Sequence, residues 1–380
     1  MKLIVSCSSG IESSVKRELY KLGIPDAKAT NGKIEIEGDF ELLSKLCVWL
    51  RCADRVFVEV AKFEAKTFDE LFENTKNVDF SKYLKKYTRV FLDGNCYESE
   101  LMAIKSCGGV IKKAVMESLK RSYGVTNETG ETVTLYFSIL NNVCTLMLDA
   151  CGNGLHKRGY RELTYTAPLK ETLACSLVDL SVYNAEKSFA DVFCGSGTIA
   201  IETAMIARNI APGLKRHFDF EKLVGFDKKV LEKVKADAKA QERDIMPDIF
   251  ACDISADAIK MARENAKMAG VDKYIHFEVM DMKKFYTQKE YGVIISNPPY
   301  GDRMSEKDKV RKLYKEFAEM FSHLKNWSCY IITDDKEFEK TMGRKADKKR
   351  KLYNAKIECT YYSFMGKKPE KKEKFNQNND

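Results

Sequence analysis

Along the first part of the chain, apolar positions either alternate with polar ones or recur at helical spacing. Residues 2–7 read as a strand, 11–22 as an amphipathic helix ended by Gly23-Ile24-Pro25, and 32–38 (GKIEIEG) as a short strand between glycines. Residues 40–52 look helical and 55–61 alternate as a strand; Thr67 and Glu70 then stand at capping-box spacing before another helix. A strand over 89–95 follows, then a long helix over 99–123, interrupted near Gly108-Gly109. Thr132, Thr134, Tyr136 and Ser138 alternate against Val133, Leu135, Phe137 and Ile139, and Asn141-Asn142 turns the chain into 143–150 as a hairpin. This pattern describes an α+β module and carries no chemistry by itself.

From residue 188 the pattern changes. SFAD (188–191) is short and apolar, as a buried parallel strand should be; Cys194-Gly195-Ser196-Gly197 follows as a turn, and 198–207 is apolar at helical spacing from Thr198 onward. Strand, glycine turn and helix N-terminus make a place for a nucleotide-like ligand, since glycine lets backbone come close and the helix start offers free N–H groups. Taken alone, Asp191-x-x-x-Gly195-x-Gly197 is also compatible with a simple tight turn. A hundred residues on, YGVII (291–295) reads as a second buried strand running into Asn297-Pro298-Pro299-Tyr300. Between the two, Ser255 opens a strong helix over 258–269, ended by Gly270; residues 274–280 form a strand ending in Asp281-Met282. Residues 329–333 read as a further strand, 344–350 as a basic run and 351–365 as a last hairpin.

The glycine turn followed by Asn-Pro-Pro-Tyr, each at a strand's C-terminal end, resembles the S-adenosylmethionine-dependent amino-methyltransferases. The resemblance extends further. LCVWLRCADRV (46–56) and TFDELFENTK (67–76) resemble a THUMP domain, an RNA-binding module, and His156-Lys157-Arg158-Gly159-Tyr160-Arg161 with Ala167-Pro168-Leu169-Lys170-Glu171-Thr172 resembles the junction in THUMP-containing guanine-N2 methyltransferases. Among these the chain looks most like the bacterial 23S rRNA guanine-N2 enzymes, in a form with one methyltransferase domain. The fold implied is α/β: a Rossmann-like class I methyltransferase domain, a doubly wound sheet, preceded by an α+β ferredoxin-like plus THUMP region. The divisions implied are 1–43, ferredoxin-like; 44–155, THUMP; 156–366, methyltransferase; and 367–380, a disordered basic tail.

The cofactor implied is S-adenosyl-L-methionine, with Asp191, Cys194, Gly195, Ser196, Gly197 and Thr198 at the glycine turn. Two acids compete for its ribose, Asp227 and Asp253. Asp253, followed by Ile254, is preferred because AIKMARENAKMAG (258–270) resembles the helix after the family's second strand, while MIARNIAPGLKRHFDFEK (205–222) resembles its insertion, leaving Asp227 on that insertion's surface. Asp281 and Met282 would hold the adenine, an acidic helix cap being the alternative for Asp281. Asn297, Pro298, Pro299 and Tyr300 carry the chemistry. A guanine exocyclic amine is a poor nucleophile because its lone pair is delocalised. The Asn297 oxygen and the Pro298 carbonyl, held stiff by Pro299, can accept its N–H bonds and turn the lone pair toward the sulfonium methyl. Tyr300 can stack on a base out of its helix. His156, Lys157, Arg158, Tyr160 and Arg161 are expected at the RNA, pairing phosphates and stacking, though their composition alone would suit a solvated linker.

Composition narrows the alternatives. With 380 residues, 44% hydrophobic and 32% charged, the chain has room for two or three ordinary domains. The apolar run at its start is too short for a signal peptide, and no run reaches membrane-spanning length, so a cytoplasmic location is the default. Twelve scattered cysteines without Cys-x-x-Cys, and four histidines, support neither zinc nor a disulfide framework, so no metal is expected. No cysteine follows a proline, which argues against cysteine-dependent carbon methylation. Net charge is +8, yet residues 341–380 hold 12 Lys/Arg against 5 Asp/Glu, leaving 52 against 51 elsewhere. Contact with RNA must therefore come from local patches. The readings left open are a tRNA guanine-N2 enzyme, a DNA adenine-N6 or protein glutamine-N5 methylase, and a non-catalytic RNA-binding or ribosome-assembly factor.

Overall fold

A computed structural model describes residues 1–25, 27–30, 32–161, 169–300 and 304–367. Ala167 and Pro168 of the junction, and nearly all of the expected tail, lie outside the described residues. The chain divides into two compact units, one of 1–159 with 210–242, the other of 160–209 with 243–380. The stretch resembling a family insertion thus packs with the first unit, although it interrupts the second in sequence.

The first unit runs β1 (Lys2–Ser6), α1 (Glu12–Lys21), β2 (Lys28–Thr30), β3 (Lys33–Glu37), α2 (Phe40–Trp49), β4 (Arg55–Glu64), α3 (Phe68–Asn77), β5 (Arg89–Tyr97), α4 (Ile104–Tyr123), β6 (Thr132–Leu140) and β7 (Val143–Asp149). Its seven strands lie in the order β2-β3-β1-β4-β7-β6-β5, and only β5 and β6 are parallel. The capping box forms: Thr67 Oγ1 accepts from the Glu70 N–H at 3.2 Å and the Glu70 carboxylate from the Thr67 N–H at 3.3 Å. Asn141 and Asn142 take φ of 49° and 62°, the left-handed pair that a two-residue hairpin turn requires, and β6 pairs antiparallel with β7. The interruption expected near Gly108-Gly109 is absent. α4 runs through it, with Gly108 set against Phe137 and Leu92. Packing of this face onto the sheet outweighs the roughly 1 kcal/mol that each helical glycine costs.

The second unit contains α5 (Glu171–Asp179), β8 (Ser188–Asp191) and α6 (Thr198–Ala207). After α7 (Lys228–Ala240) in the first unit, it resumes with β9 (Ile249–Asp253), α8 (Ala256–Ala269), β10 (His276–Val279), β11 (Gly292–Ser296), α9 (Met304–Ser322), β12 (Ser328–Thr333), α10 (Phe338–Thr341), β13 (Lys348–Asn354) and β14 (Ile357–Phe364). The strand order is β10-β9-β8-β11-β12-β14-β13. The first five are mutually parallel; β14 runs against β12 and β13 against β14. β11 and β12 are buried throughout, as parallel strands covered on both faces must be. This is the Rossmann-like, doubly wound arrangement expected, with an antiparallel hairpin closing one side. The hairpin starts at Lys348, so it takes in the end of the basic run. No helix among the described residues is long and apolar enough to cross a membrane.

Candidate active site

Parallel pairing puts the C-terminal ends of β10, β9, β8 and β11 side by side along one edge, where open α/β sheets bind ligands. At the end of β8 the chain turns through Gly195 (φ 51°) and Gly197 (φ 82°). A Cβ on Gly197 would lie 2.9 Å from that of Ala262, so glycine there lets α6 approach α8, whereas the space around Gly195 is open. Asn265 donates to the Ser196 carbonyl at 3.0 Å, tying the turn to α8. From the end of β9, the Asp253 carboxylate accepts from the Gly195 N–H at 3.0 Å through one oxygen and from the Ser255 N–H at 2.9 Å through the other. Each oxygen keeps acceptor capacity. Ile254 beside it stands 74% exposed. Asp227, the rejected acid, is an exposed N-cap of α7 in the first unit.

Asp191 is 1% exposed. One of its oxygens accepts from the Ser296 hydroxyl at 2.7 Å and from the Phe193 N–H at 3.3 Å; the other is buried without a partner. Burial pushes its carboxyl up to about 7, held back by the Ser296 and Phe193 bonds and raised further by the Asp253 charge. The Ser296 oxygen in turn accepts from the Val192 N–H at 3.0 Å. Ser296 is the residue before Asn297, so a single side chain joins the glycine loop to the Asn-Pro-Pro-Tyr loop.

In that second loop Asn297 is half-buried, Pro298 buried and Pro299 exposed. The Tyr300 hydroxyl donates to Asn297 Oδ1 at 2.6 Å, while Asn354 Nδ2 donates to the Tyr300 oxygen at 3.4 Å and the Cys359 thiol lies 3.6 Å away. Because Asn354 Nδ2 can only donate, the tyrosine proton is directed at Asn297, which fixes the amide oxygen toward it with one lone pair to spare. The Pro299 carbonyl accepts from the buried Tyr314 hydroxyl at 3.1 Å, and Tyr314 also bonds the Thr333 hydroxyl at 2.9 Å. Burial raises the Tyr300 phenol above its ordinary range, with Cys359 adding to the effect, so it stays a protonated donor.

The remaining expected residues divide. Asp281 sits at the end of β10 and caps a short turn, accepting from the Lys283 N–H at 3.0 Å with Lys283 Nζ 3.3 Å away. Met282, expected to pack on the adenine ring, lies in that turn and is enclosed in the core with Val192, Cys252 and Phe317. Cys194 is buried, its thiol raised well above the usual range first by burial and then by Asp191.

The basic stretch before the second unit turns inward more than expected. Arg158 is 4% exposed, its guanidinium donating to the carbonyls of Leu155 and Arg51. Tyr160 is 3% exposed and its hydroxyl donates to Glu202 at 2.9 Å. Arg161 reaches the Thr198 hydroxyl at 2.5 Å, the Leu169 carbonyl at 3.1 Å and Glu171 at 3.5 Å. These three are internal ties, which corrects the expectation of an RNA contact. Their partners are backbone carbonyls, the Thr198 hydroxyl and the buried carboxylates of Glu171 and Glu202, and no local pattern announces such partners. Lys157 is exposed and His156 half-buried. Sequence reasoning also missed Ser296, Tyr314, Asn354 and Cys359. A polar residue closing an otherwise apolar strand was the available signal for Ser296; the other three arrive from distant elements and left none.

Comparison with known proteins adds the following. Residues 158–363 match the family described as RMKL-like, methyltransferase domain, and residues 2–57 the RlmL ferredoxin-like domain. The protein named "Putative RNA methyltransferase YpsC" of Bacillus subtilis is 42% identical over 376 residues, covering 97% of each chain. "Ribosomal RNA large subunit methyltransferase K/L" of Psychromonas ingrahamii is 30% identical over 382 residues, covering 97% of this chain and 51% of its own length. The chain therefore spans about half of that K/L relative. Among solved structures, "SMU.472, a putative methyltransferase complexed with SAH" superposes with a TM-score of 0.92 at 38% identity, covering 97% of this chain and 98% of the other.

Proposed function

This chain belongs to the RMKL-like methyltransferase family, and from that premise we propose that it methylates the exocyclic N2 of a guanosine in RNA, with 23S rRNA as the substrate. S-adenosylmethionine is its methyl donor, supplying an electrophilic methyl on a sulfonium. The residues fit such a cofactor. Asp253 offers acceptors for ribose hydroxyls, the space at Gly195 admits a close ligand, and the orphaned Asp191 oxygen lacks a cationic or donor group of the kind the cofactor's amino-acid arm carries. The observation that carries the reading is the Ser296 bridge, which sets Asn297 against the glycine loop.

Asn297 Oδ1, oriented by Tyr300, and the Pro298 carbonyl accept the two N–H bonds of the amine and pyramidalise its nitrogen. The proton released on methylation passes to solvent, and no strong base is needed. Alignment and electrostatic complementarity to the cationic transition state supply the acceleration. Residues 44–155, resembling a THUMP domain, together with His156 and Lys157, would present the RNA. The test is nucleoside mass spectrometry on rRNA and tRNA from a deletion strain, before and after treatment with the purified protein and cofactor. Restored N2-methylguanosine in 23S rRNA is the expected result. Appearance of the mark only in tRNA, or of N6-methyladenosine instead, would replace this reading.

A further inference from the structure

Two adjacent glycines lie inside α4, and the fold accounts for only one of them. Gly108 faces the sheet, where a Cβ would sit 3.6 Å from the Phe137 ring. Gly109 lies on the solvent side: it is exposed, and a Cβ there would meet nothing within 4 Å. Its backbone is helical, so no left-handed conformation requires it. Among the described residues, neither packing nor conformation calls for glycine at a position where it weakens the helix. What an absent side chain still permits is the close approach of another molecule to the helix backbone. The charges around Gly109 say of which kind. Side chains four apart share a helix face, so Lys105 and Lys113 flank Gly109, and Lys120 continues the row two turns on. All three lysines are exposed, and none has a carboxylate partner among the described residues. Lys113 Nζ lies 5.6 Å from the centre of the Phe72 ring, which leaves its charge intact. Glu117, the single carboxylate of α4, lies 3.8 Å from Lys76 of α3, and Glu128 pairs with Lys112 at 3.0 Å. The face centred on Gly109 therefore carries uncompensated positive charge around a bare stretch of backbone.

We propose that this face of α4 docks on the backbone of an RNA double helix, with Gly109 against the groove and the lysines on its phosphates. The proposal rests on the RNA methyltransferase reading and adds which surface of the first unit holds the substrate, and in what form. Lys105 and Lys113 stand about 12 Å apart along the helix axis, and Lys113 and Lys120 about 10 Å, at 1.5 Å per residue. Long side chains from such positions can reach phosphates on both sides of a groove. A-form RNA has a wide, shallow minor groove that displays 2′-hydroxyls, and a helix with no side chain at its centre can lie close to it. Single-stranded RNA is held by stacking its bases on aromatic rings. This row of lysines offers no ring of its own, and the Phe72 ring beside it is occupied by Lys76 at 5.5 Å as well as by Lys113.

The test uses the full chain and compares wild type, Gly109→Gln, the double variant Lys105→Gln/Lys113→Gln and the control Lys45→Gln, whose lysine is paired with Glu41 on α2. Binding to an RNA hairpin of about 16 base pairs, the length a duplex-binding module spans, is followed by fluorescence anisotropy across a salt series. The matching DNA hairpin and oligouridylate are measured beside it, and wild type should prefer the RNA hairpin to both. Two lost phosphate contacts should lower the slope of log K against log salt by about 1.8, at roughly 0.9 per duplex contact. Gly109→Gln should weaken hairpin binding several-fold while raising Tm by about 1–2 °C, since a better helix former replaces glycine in open space. KM for rRNA should rise in both, with kcat and cofactor affinity unchanged; the control should match wild type. A full slope in the double variant, an equal loss in the control, or tighter binding of oligouridylate or DNA would overturn the proposal. So would a Gly109→Gln protein that binds the hairpin as wild type does, or that unfolds at a lower temperature. A wild type that meets these expectations but methylates no guanosine would overturn the guanine-N2 reading and leave the docking face standing.

Discussion

Each unit buries an aspartate at the C-terminal end of a strand, and the two meet different fates. Asp149 closes β7 in the mostly antiparallel sheet, Asp191 closes β8 in the parallel one. Antiparallel pairing sets the end of one strand beside the start of its neighbour, so Asp149 faces Arg55 at the start of β4 and is paired by it; the Cys151 N–H donates as well, at 2.8 Å. Parallel pairing gathers strand ends of the same kind. Asp191, Asp253 and Asn297 therefore converge with no cation among the described residues to balance Asp191, and one of its oxygens stays unpartnered. Burial pushes Asp149 up to about 6, with Arg55 pulling the other way; it pushes Asp191 to about 7, where the Asp253 charge adds to the rise. The first aspartate is a completed internal pair. The second keeps one buried oxygen without a partner.

The largest break in this comparison should come from the acceptor that no residue of the first sheet resembles. Asn297→Ala is expected to lower the single-turnover rate by about 10²–10³-fold, the scale of losing one preorganised polar group at a transition state, with cofactor affinity unchanged. An unaltered rate would remove Asn297 from the chemistry. Asp253→Ala should come next. Losing hydrogen bonds to a charged acceptor is worth about 1.5–3 kcal/mol, so titration calorimetry should read a cofactor affinity weaker by roughly 10–100-fold. Asp227→Ala, in the first unit, should leave it untouched, and the reverse result would exchange the two acids.

How much of this was legible in the sequence follows the same division. The fold of the parallel half was readable because short motifs such as Asp191 to Thr198 and Asn297 to Tyr300 stand at strand ends and in the turns directly after them, where local pattern placed them. The hairpin over β6 and β7 and the capping box at Thr67 were equally local, and both form. What local pattern did not show depends on partners distant in sequence. Arg158 looked like a solvated cation in a glycine-rich stretch, but its carbonyl partner Arg51 lies over a hundred residues away. Likewise the Asn-Pro-Pro-Tyr motif gave no sign that bonds to the Tyr300 hydroxyl come from β13 and β14.

The two aspartates should also part company with pH. Asp191 holds its proton in the folded protein up to about 7, well above the ordinary value of 3.8, so between those values the native state binds a proton that the unfolded chain releases. Its contribution to the stability of the ligand-free protein is thus fully present below pH ~4 and lost as pH rises through about 7, with a slope of at most about 1.4 kcal/mol per pH unit. A cationic ligand favours the ionised form and expels the proton. Cofactor affinity should accordingly fall below pH ~7, by no more than about tenfold per unit, and calorimetry near pH 6 in buffers of different ionisation heat should register proton release. Asp191→Asn should abolish that release. Asp149→Asn should keep it, while lowering stability by leaving Arg55 without its carboxylate. Proton release that persists in Asp191→Asn would show that another group takes it up.

Ser296→Ala should have the smallest effect on turnover, yet it tests the link between the two loops most directly. The serine oxygen accepts from the buried Val192 N–H and its proton goes to Asp191, so the substitution strips a partner from each at once. An orphaned buried donor costs about 1–3 kcal/mol, and chemical denaturation should find a loss of that size. The electrostatic consequence has a definite sign. The serine bond is the first of the influences that hold the Asp191 carboxyl down against burial, so its removal should move the pH dependence of cofactor binding further up. A global loosening would lower affinity at every pH, whereas loss of this one bond should lower it fully below pH ~7 and progressively less as pH rises past neutrality, until even the raised carboxyl is ionised. A change in affinity that is uniform across pH would mean that the two loops are held together by the sheet alone, and that Ser296 only fills space between them.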